Sequence, residues 1–444
     1  MRQFFIFCFG LYVWLLGSGC GKPQSVDVWP PLRPLGADTA IRTKESPLFS
    51  PPKGTLTLPQ VLALSMQHGP DLPVVVWAVR VGEAKIKQAS QRPNPELETK
   101  LQTLGEIETT VQLKCPIELG RKRLRRQTVA QLSARLSGWE YEGQRLDTLT
   151  ETRLAFIDVL QAQALVAVNQ GLVQLAEQIF STVRTQVELG VKAGIEQAPV
   201  QIELANSRLT LKQSQQSLAL ARQALAATWG QATPTFDRVE GRLEAVSPVP
   251  PIEQLLEQMM PPELARWPTE IELRKAIVEI EKSNRRPDIT VGGGFKHLSP
   301  FSGENSLMAV VSLSVPLPVL NQNRGAILVA ESNLQKSQAE RAKAETRLGA
   351  KLAQAHHRLV SAHETIHQLK EEIMPLAQSA FEVTVAGQRL SKIVWLELTN
   401  AQHTLFKVKR SYTGALAEYH RAVAHIERLI GQPLEQLGSR KIIK

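Results

Sequence analysis

One stretch, Gln102 to Arg126, constrains the fold most, because an alternating strand leads there into a very long helix. Apolar and polar residues alternate from Ile107 to Cys115, so one face of the strand is apolar and the other polar. Pro116 has no N–H to donate and predicts the end of strand pairing. No proline occurs from Glu118 to Val187, and about 65 helical residues would extend about 100 Å. A compact globular domain does not need such a helix.

The chain carries this arrangement twice. One β-hairpin is predicted at about 94–116 and a second at about 287–316, with the loop of the second around His297 to Asn305, and Pro116 and Pro316 end them about 200 residues apart. Each half is therefore predicted to contain a helix, a hairpin, a long helix, a turn and a second long helix, in that order. The predicted organisation is a signal peptide at 1–19, a proline-rich tether at 20–54, a first repeat at 55–232, a connector at 233–251, a second repeat at 252–432 and a tail at 433–444.

The helices carry a coiled-coil pattern. Leu352, Leu359, Ile366 and Ile373 recur every seven residues, which predicts helices that pack side by side. The complementary heptad positions are Leu348, Ala355, Ala362, Leu369 and Leu376.

The strands are long enough to span a bilayer when tilted. A hairpin cannot stand alone in lipid because its edges would leave backbone groups unpaired, and four strands do not close a barrel. Several copies of the chain must then contribute strands to one barrel, either eight strands from two copies or twelve strands from three. The residues predicted to form the apolar face of membrane strands are Leu97, Leu101, Ile107, Val111, Leu113, Ile289, Val291, Leu307, Val311 and Leu313.

The N-terminal sequence is typical of a segment that is removed during export. An apolar run from Phe4 to Leu16 has the length of a signal-peptide core and is too short to cross a membrane. Gly17-Ser18-Gly19-Cys20 resembles a lipoprotein cleavage site, which predicts lipidation of Cys20. Ordinary cleavage that leaves Cys20 unmodified is the alternative. We expect no transmembrane helix after the signal peptide.

Composition excludes several functions. The net charge of +10 is spread along helices and accompanies no nucleic-acid-binding motif, so we expect no nucleic acid partner. The three cysteines have no zinc-like spacing. Gly292-Gly293-Gly294 lacks the phosphate-loop fingerprint and is predicted to lie in a strand. No nucleophile elbow, zincin motif or compact carboxylate pair is present, so we expect neither an enzyme nor a cofactor.

Histidines cluster on one predicted helix. His363 and His367 are four residues apart and share a face, so they could hold a transition metal. Two imidazoles make an incomplete site, and a solvated helix face is the favoured interpretation.

Several motifs together resemble a known family. They are Arg92-Pro93-Asn94-Pro95, Pro116-Ile117-Glu118-Leu119-Gly120 with Lys122-Arg123, Val315-Pro316-Leu317-Pro318 with Asn323 and Gly325, and Leu396-Glu397-Leu398 with Ala401-Gln402. This set resembles the TolC-like outer-membrane efflux factors, and specifically the CzcC-type branch of heavy-metal efflux systems.

The resemblance implies a mainly α fold with a small membrane β part. Three copies would form a twelve-stranded β-barrel continued by a twelve-helix α-barrel. The resemblance implies that the chain forms a homotrimer. The expected partners of this trimer are outer-membrane lipid, a periplasmic adaptor and an inner-membrane resistance–nodulation–division pump. The implied function is export of heavy-metal cations through the outer membrane. The exit duct of a type I protein-secretion system is an alternative, and a periplasmic coiled-coil lipoprotein without a pore is a second one.

The resemblance also assigns roles within the chain. Turns far from the membrane, with Gly190, Gly194, Gly387, Ser391 and Lys392, would form the periplasmic tip and contact the adaptor. The joint between barrel and tunnel would contain Pro116, Glu118, Leu119, Gly120, Lys122, Arg123, Pro316 and Pro318. Arg121 is a departure there, because the branch commonly has a second glycine at that place.

Overall fold

The computed structural model describes residues 28–31, 35, 52–103, 106–191, 193–300, 303–389 and 395–436. The predicted signal peptide, Cys20, most of the tether, Ser391, Lys392 and residues 437–444 lie outside the described residues.

Long helices dominate the described chain. The strands are β1 Gly54–Thr57, β2 Glu96–Thr103, β3 Glu106–Ile117, β4 Phe236–Glu240, β5 Ile289–Pro300 and β6 Ser306–Ser314. The helices are α1 Leu58–His68, α2 Asp71–Ala89, α3 Lys122–Glu188, α4 Gln197–Ala227, α5 Ile252–Gln258, α6 Pro262–Ala265, α7 Trp267–Asn284, α8 Arg324–His367, α9 Met374–Arg389 and α10 Trp395–Ile430. A π-helical segment, Gln368–Ile373, joins α8 to α9, and short 3-10 turns occupy Gly194–Glu196 and Leu434–Gln436.

The chain divides into two compact units. The first comprises 79–138 and 269–337 together with residues up to Pro30, and the second comprises 31–78, 139–268 and 338–444. The first unit contains a four-stranded antiparallel sheet in the order β2-β3-β5-β6. Both hairpins therefore lie side by side in one sheet, and β2 and β6 are its edges.

The strand bounds correct two expectations about the hairpins. Pro116 was expected to end its strand, yet β3 continues to Ile117, with Pro116 opposite Thr290 of β5. Strand β2 begins opposite Lys114, so β3 has a partner on one side only at Pro116, where the missing N–H is tolerated. The second loop was expected from His297, but β5 extends to Pro300 and pairs there with β3.

The second unit is built from helices packed along their length. Leu352, Leu359 and Ile366 of α8 are at most 6% exposed and pack against Leu416 and Ile426 of α10. The predicted heptad pattern thus forms a helix–helix core over its first three repeats.

The fourth repeat does not follow the prediction. Ile373 is 41% and Leu376 is 70% exposed, whereas Leu369 and Ala377 are buried. The cause is the π-helical segment, which adds a residue to one turn and rotates the following helix by about 100°. Pro375 lies two residues after the end of this segment, and a proline cannot donate the usual helical hydrogen bond.

A second, parallel sheet was not anticipated. Strand β1 pairs in parallel with β4, which lies inside the expected connector. Phe236 and Val239 of β4 are buried with Trp229 and Phe156 in one apolar cluster. The connector is therefore part of the folded core of this unit.

Helix α3 is long and apolar enough to cross a membrane by length and composition alone, although the sequence predicted no such span. Its apolar side chains are used for packing: Phe156 and Val159 join the cluster around Trp229, and Val173 and Ala176 pack against Leu204. A packed core helix passes the same test, so packing accounts for its composition.

Candidate functional site

The four-stranded sheet has one apolar face and one polar face. The register aligns Leu97 with Leu113, Val111 with Phe295 and Val291 with Leu313, so apolar residues from all four strands share a side. Most of them are exposed: Leu97 is 72%, Val311 is 85% and Leu313 is 70% exposed. All ten residues predicted for membrane strands lie in these strands: Leu97, Leu101, Ile107, Val111, Leu113, Ile289, Val291, Leu307, Val311 and Leu313.

The polar face carries charges that are paired with each other. Lys114 Nζ lies 2.7 Å from Glu98 Oε2, and Lys296 Nζ lies 2.7 Å from Glu108 Oε2. Both pairs join neighbouring strands, so they stabilise the register on this face.

Two glycines leave room for a hydrogen-bonded brace across the same face. The Gln112 side chain donates to Glu98 on β2 and accepts from the Ser312 hydroxyl on β6 at 2.9 Å. A Cβ at Gly292 would lie 2.2 Å from Ser312 Oγ, and one at Gly294 would lie 2.0 Å from the Val111 carbonyl oxygen. Side chains at these two positions would collide with the brace and with β3, so glycine is required at both positions of this strand.

The joint between β3 and α3 is held by a carboxylate from the other hairpin. Asp288 Oδ1 accepts hydrogen bonds from the Leu119 backbone N–H at 3.0 Å and from Lys122 Nζ at 2.9 Å. The Lys122 side chain is only 12% exposed. This single carboxylate therefore ties the start of the first long helix to the start of the second hairpin, a contact that the sequence did not predict.

Further ion pairs surround this joint. Glu118 forms a two-pronged pair with the Arg126 guanidinium, and Arg126 Nη2 also donates to the Gln91 carbonyl at 3.2 Å. The guanidinium of Arg125 lies 3.3 Å from Glu279. Lys122, Arg125 and Arg126 are thus each paired with a carboxylate of the first unit.

Both long helices start after a residue with left-handed backbone. Gly120 has a φ of 71° and Arg121 a φ of 60°, and Asn323 before α8 has a φ of 58°. Glycine and asparagine adopt this region readily, whereas arginine does so at a cost. The geometry explains why a glycine is expected in place of Arg121, and why α3 starts at Lys122 rather than at Glu118.

The remaining joint residues lie in less buried surroundings. Pro316 and Pro318 follow β6 in an exposed segment that also contains Leu317 and Leu320, which are 77% and 99% exposed. Arg123 is half-buried in the first turn of α3.

The predicted tip contains one well-described turn. Gly190 follows α3 with a φ of 71°, and Gly194 opens the 3-10 turn before α4. Leu189, Val191 and Ile195 around it are 73%, 67% and 82% exposed. Gly387 lies in the last turn of α9, and Ser391 and Lys392 of the second turn are outside the described residues.

Both ends of the tip belong to one packed cluster. Val183 of α3 and Val200 of α4 pack with Trp395 and Leu398 of α10, and Phe381 and Val385 of α9 pack against this cluster. The two helical turns thus lie at the same end of the second unit.

The histidines are not gathered into a metal site. The His363 ring lies 6.4 Å from the Tyr419 ring, and His367 is exposed at the end of α8. Over the residues that the structure describes, no three His, Cys, Asp or Glu side chains come together as metal ligands would. The favoured interpretation, a helix surface, fits this arrangement.

The second unit contains a buried charged network that the sequence did not indicate. Arg428 of α10 contacts Asp147 and Glu263 at 2.7 Å, and Glu427 pairs with Arg153 and accepts from the Leu434 N–H at 3.0 Å. Burial raises the pKa of the Glu427 carboxyl. Charged residues inside a heptad pattern look like surface positions, so only the fold identifies them as buried.

His420 is a partly buried titratable ring in this region. Its Nε2 lies 2.9 Å from the Leu243 carbonyl oxygen, to which it can donate, and burial lowers the pKa of the ring. His420 is therefore neutral in the folded protein near neutral pH.

Comparison with known proteins agrees with this architecture. The chain matches the family described as outer membrane efflux protein over 61–231 and 254–432. It is 31% identical over 383 residues to the cobalt-zinc-cadmium resistance protein CzcC of Cupriavidus metallidurans strain CH34, covering 85% of this chain and 91% of that protein.

Solved channel structures share the fold at low sequence identity. CusC superposes with a TM-score of 0.72 at 13% identity, covering 91% of this chain and 99% of that one. The open state of MtrE from Neisseria gonorrhoeae gives 0.70 at 14% identity, covering 85% and 89%. The predicted mainly α fold with a small β part, typical of TolC-like channels, is confirmed, and the predicted family is correct. The chain belongs to the outer membrane efflux protein family and resembles its CzcC-type members.

Proposed function

We propose that this chain is the outer-membrane channel subunit of a tripartite efflux system that exports heavy-metal cations. The observation that carries the proposal is the four-stranded sheet, which has one exposed apolar face, one charged face and two edge strands. Such a sheet cannot be stable alone in lipid, and pooling three copies gives a closed twelve-stranded barrel with a polar interior. The likeness to CzcC, a cobalt-zinc-cadmium resistance protein, supports metal cations as the cargo.

The substrate is tested by deleting the gene and measuring growth in zinc, cobalt, cadmium, copper and silver. We expect increased sensitivity to at least one of these metals, restored by the wild-type gene. Unchanged sensitivity to all five metals, with loss of a secreted protein from the medium, would favour the exit duct of a type I secretion system.

Channel formation is tested separately with purified protein. In planar bilayers the assembled protein should give discrete conductance steps, whereas a structural coiled-coil lipoprotein would give none. The strand residues predicted from the sequence are the proposed lipid contacts, so Val311→Asp should prevent membrane insertion, because it puts a charge on the lipid face. The matched change Ser314→Asp, at an exposed position on the polar face of the same strand, should be tolerated better.

The exposed turn after α3 is proposed to contact the periplasmic adaptor, which in turn binds an inner-membrane pump. Three large apolar side chains there, Leu189, Val191 and Ile195, are far more exposed than apolar residues usually are. Ile195→Asp should reduce metal resistance while leaving the conductance of the purified channel intact. Equal loss of both activities would argue for a folding defect instead.

Lipidation of Cys20 is proposed from the sequence alone. The chain expressed with radiolabelled palmitate should incorporate label, and Cys20→Ser should not. Equal labelling of both would exclude this cysteine as the anchor.

A further inference from the structure

The segment between β6 and α8 leaves large apolar side chains exposed. Leu317 is 77%, Val319 is 72% and Leu320 is 99% exposed. A group of apolar side chains that are this exposed and this close in sequence marks a surface that contacts lipid or another molecule. Residues 315–320 are called the apolar loop below.

The apolar loop is continuous with the apolar face of β6. Leu313 on that face is 70% exposed, and Val315 and Leu317 follow it at the same spacing of two residues. The series ends where the Val319 N–H donates to the Leu317 carbonyl at 2.9 Å, because a bond between these positions closes a tight turn of three residues. The loop therefore begins where the face that is proposed to contact lipid ends.

The residues that follow the loop are fixed to the protein. Asn323 Nδ2 donates to the Glu281 backbone carbonyl at 2.9 Å and to the Glu281 carboxylate at 2.8 Å. The Asn323 N–H also donates to the Asn321 side chain at 3.0 Å. These bonds attach 321–323 to α7, so the apolar loop is held by β6 at one end and by α7 at the other.

Two guanidinium groups converge on one neutral oxygen beside the loop. Gln322 Oε1 accepts from Arg285 Nη2 at 3.2 Å and from Arg324 Nε and Nη2 at 3.2 and 2.9 Å. Both arginines are exposed, and neither makes an ion pair with another described residue. Two cations held this close repel each other, so an anion placed between them is bound favourably by both.

The carboxylates of the adjoining helix are engaged elsewhere. Glu281 accepts from Asn323, and Glu279 lies 3.3 Å from the Arg125 guanidinium. Arg286 adds a third exposed guanidinium that pairs with no described carboxylate. The start of the second hairpin therefore carries an excess of positive charge next to the apolar loop.

We propose that this corner of the first unit binds an anionic glycerophospholipid. The phosphate lies between Arg285 and Arg324, and the acyl chains lie beside the apolar loop. Guanidinium groups suit this role because they bind phosphate oxygens through two parallel hydrogen bonds. The inference rests on the proposed insertion of the sheet into the outer membrane, and it adds the class of lipid and the residues that recognise it.

The two parts of the site are close enough for one lipid molecule. Leu320 precedes Gln322 by two residues, which is at most about 7 Å of chain. A phospholipid carries its charged phosphate and its apolar chains in one molecule, so it matches both parts at once. The arrangement thus corresponds to the boundary between lipid headgroups and acyl chains.

Hydration favours lipid over a protein as the occupant. The headgroup region of a membrane is wet, so Arg285 and Arg324 stay hydrated there while the apolar loop reaches the acyl chains. A protein that covered the same surface would have to bury both guanidinium groups, which is costly unless it supplies carboxylates to pair with them.

Native mass spectrometry of the detergent-purified protein tests the headgroup contact. Phosphatidylglycerol is titrated into the wild type, into Arg285→Gln with Arg324→Gln, and into the control Arg347→Gln with Arg358→Gln, which removes two exposed arginines elsewhere on α8. Each arginine near the membrane surface contributes about fivefold to the binding of anionic lipid, so the first pair should weaken binding about 30-fold and the control less than about twofold. Equal weakening by both pairs would overturn the proposal, because the total charge would then be the cause.

Two other ligands identify the part of the lipid that is recognised. Phosphatidylcholine has the same phosphate but no net charge, so it should bind about tenfold more weakly than phosphatidylglycerol. Inorganic phosphate at the same concentration as the lipid should not displace it, because phosphate has no apolar part. Equal binding of the two lipids, or full displacement by inorganic phosphate, would exclude a site for an anionic phospholipid.

Spin labels test the apolar contact in vesicles of phosphatidylethanolamine and phosphatidylglycerol. In a background without Cys20 and Cys115, a label at Leu320→Cys should be relaxed by oxygen and shielded from a water-soluble nickel chelate. A label at Ile195→Cys, another exposed apolar position, should be open to the chelate. Equal access of the chelate to both labels would show that the loop lies in water. Shielding of the Leu320 label from both reagents would show that protein covers it, and either result would overturn the proposal.

These outcomes can be distinguished from a failure of the proposed function. If the arginine pair is required for phosphatidylglycerol binding but deletion of the gene leaves metal sensitivity unchanged, the lipid site stands and the proposed substrate fails. If lipid binds as expected but planar bilayers show no conductance, the lipid site stands and the proposed channel fails.

Discussion

Removal of the Asp288 carboxylate is expected to destabilise the joint at the start of the first long helix. Asp288 Oδ1 accepts from the Leu119 N–H at 3.0 Å and from Lys122 Nζ at 2.9 Å. Hydrogen bonds to charged groups contribute about 1.5–3 kcal/mol each. Asp288 is 37% exposed, so water compensates part of the loss, while Lys122 at 12% exposure is left without its carboxylate. We expect Asp288→Ala to lower the free energy of unfolding by about 2–3 kcal/mol per chain.

The assay is denaturant unfolding of the detergent-purified protein. The expected loss corresponds to a change of about 30- to 150-fold in the ratio of folded to unfolded chains. Asp288→Asn keeps an acceptor for Leu119 but loses the charge that pairs with Lys122, so about half the effect should remain. Asp237→Ala serves as the control because its carboxylate is exposed. An Asp288→Ala chain within about 0.5 kcal/mol of that control would refute the reasoning.

Three further changes test other features. Arg121→Gly should raise the free energy of unfolding by about 1 kcal/mol by relieving the positive φ, and no gain in the denaturation midpoint would contradict a strained turn. Gly294→Ala should prevent β3–β5 pairing and abolish channel insertion, whereas the matched Gly293→Ala, with no atom near its Cβ, should not; equal behaviour would exclude the close approach as the cause. Burial lowers the pKa of His420 in the folded chain below its ordinary value of about 6.5. As the pH falls below about 6.5, the unfolded chain therefore takes up a proton on this ring before the folded chain does, and the folded state loses stability. His420→Gln should flatten this acid-side loss, which has a slope of at most about 1.4 kcal/mol per pH unit, and an unchanged stability–pH curve would argue against it.

Features written into local periodicity could be predicted from the sequence. The alternation around Val111 and Val311 identified both hairpins, and the heptads from Leu352 to Ile366 identified a buried seam. These patterns are visible because a strand repeats every two residues and a helix every 3.6.

Features that depend on residues distant in the sequence could not be predicted from the sequence. Asp288 accepts a hydrogen bond from Leu119, 169 residues away, and no local pattern indicates this contact. The π segment has only Pro375 as a sequence signal, so Leu376 was placed in the wrong seam. The resemblance identified Arg121 as unusual, but the physical reason, its left-handed backbone, required the structure.

The small parallel sheet has a consequence for the order of folding. Strand β1 has only four residues, and its partner lies in the segment between the two repeats; nearby, the Thr235 hydroxyl donates to the Pro52 carbonyl across 183 residues of chain. So short a strand does not persist alone, and closing so large a loop costs entropy before any contact repays it. The antiparallel pair α3 and α4 must therefore be largely formed before β1 can pair. We expect the β1–β4 pairing to be among the last steps of folding. During refolding, the backbone amides of β1 and β4 should become protected from hydrogen exchange only after the long helices are complete.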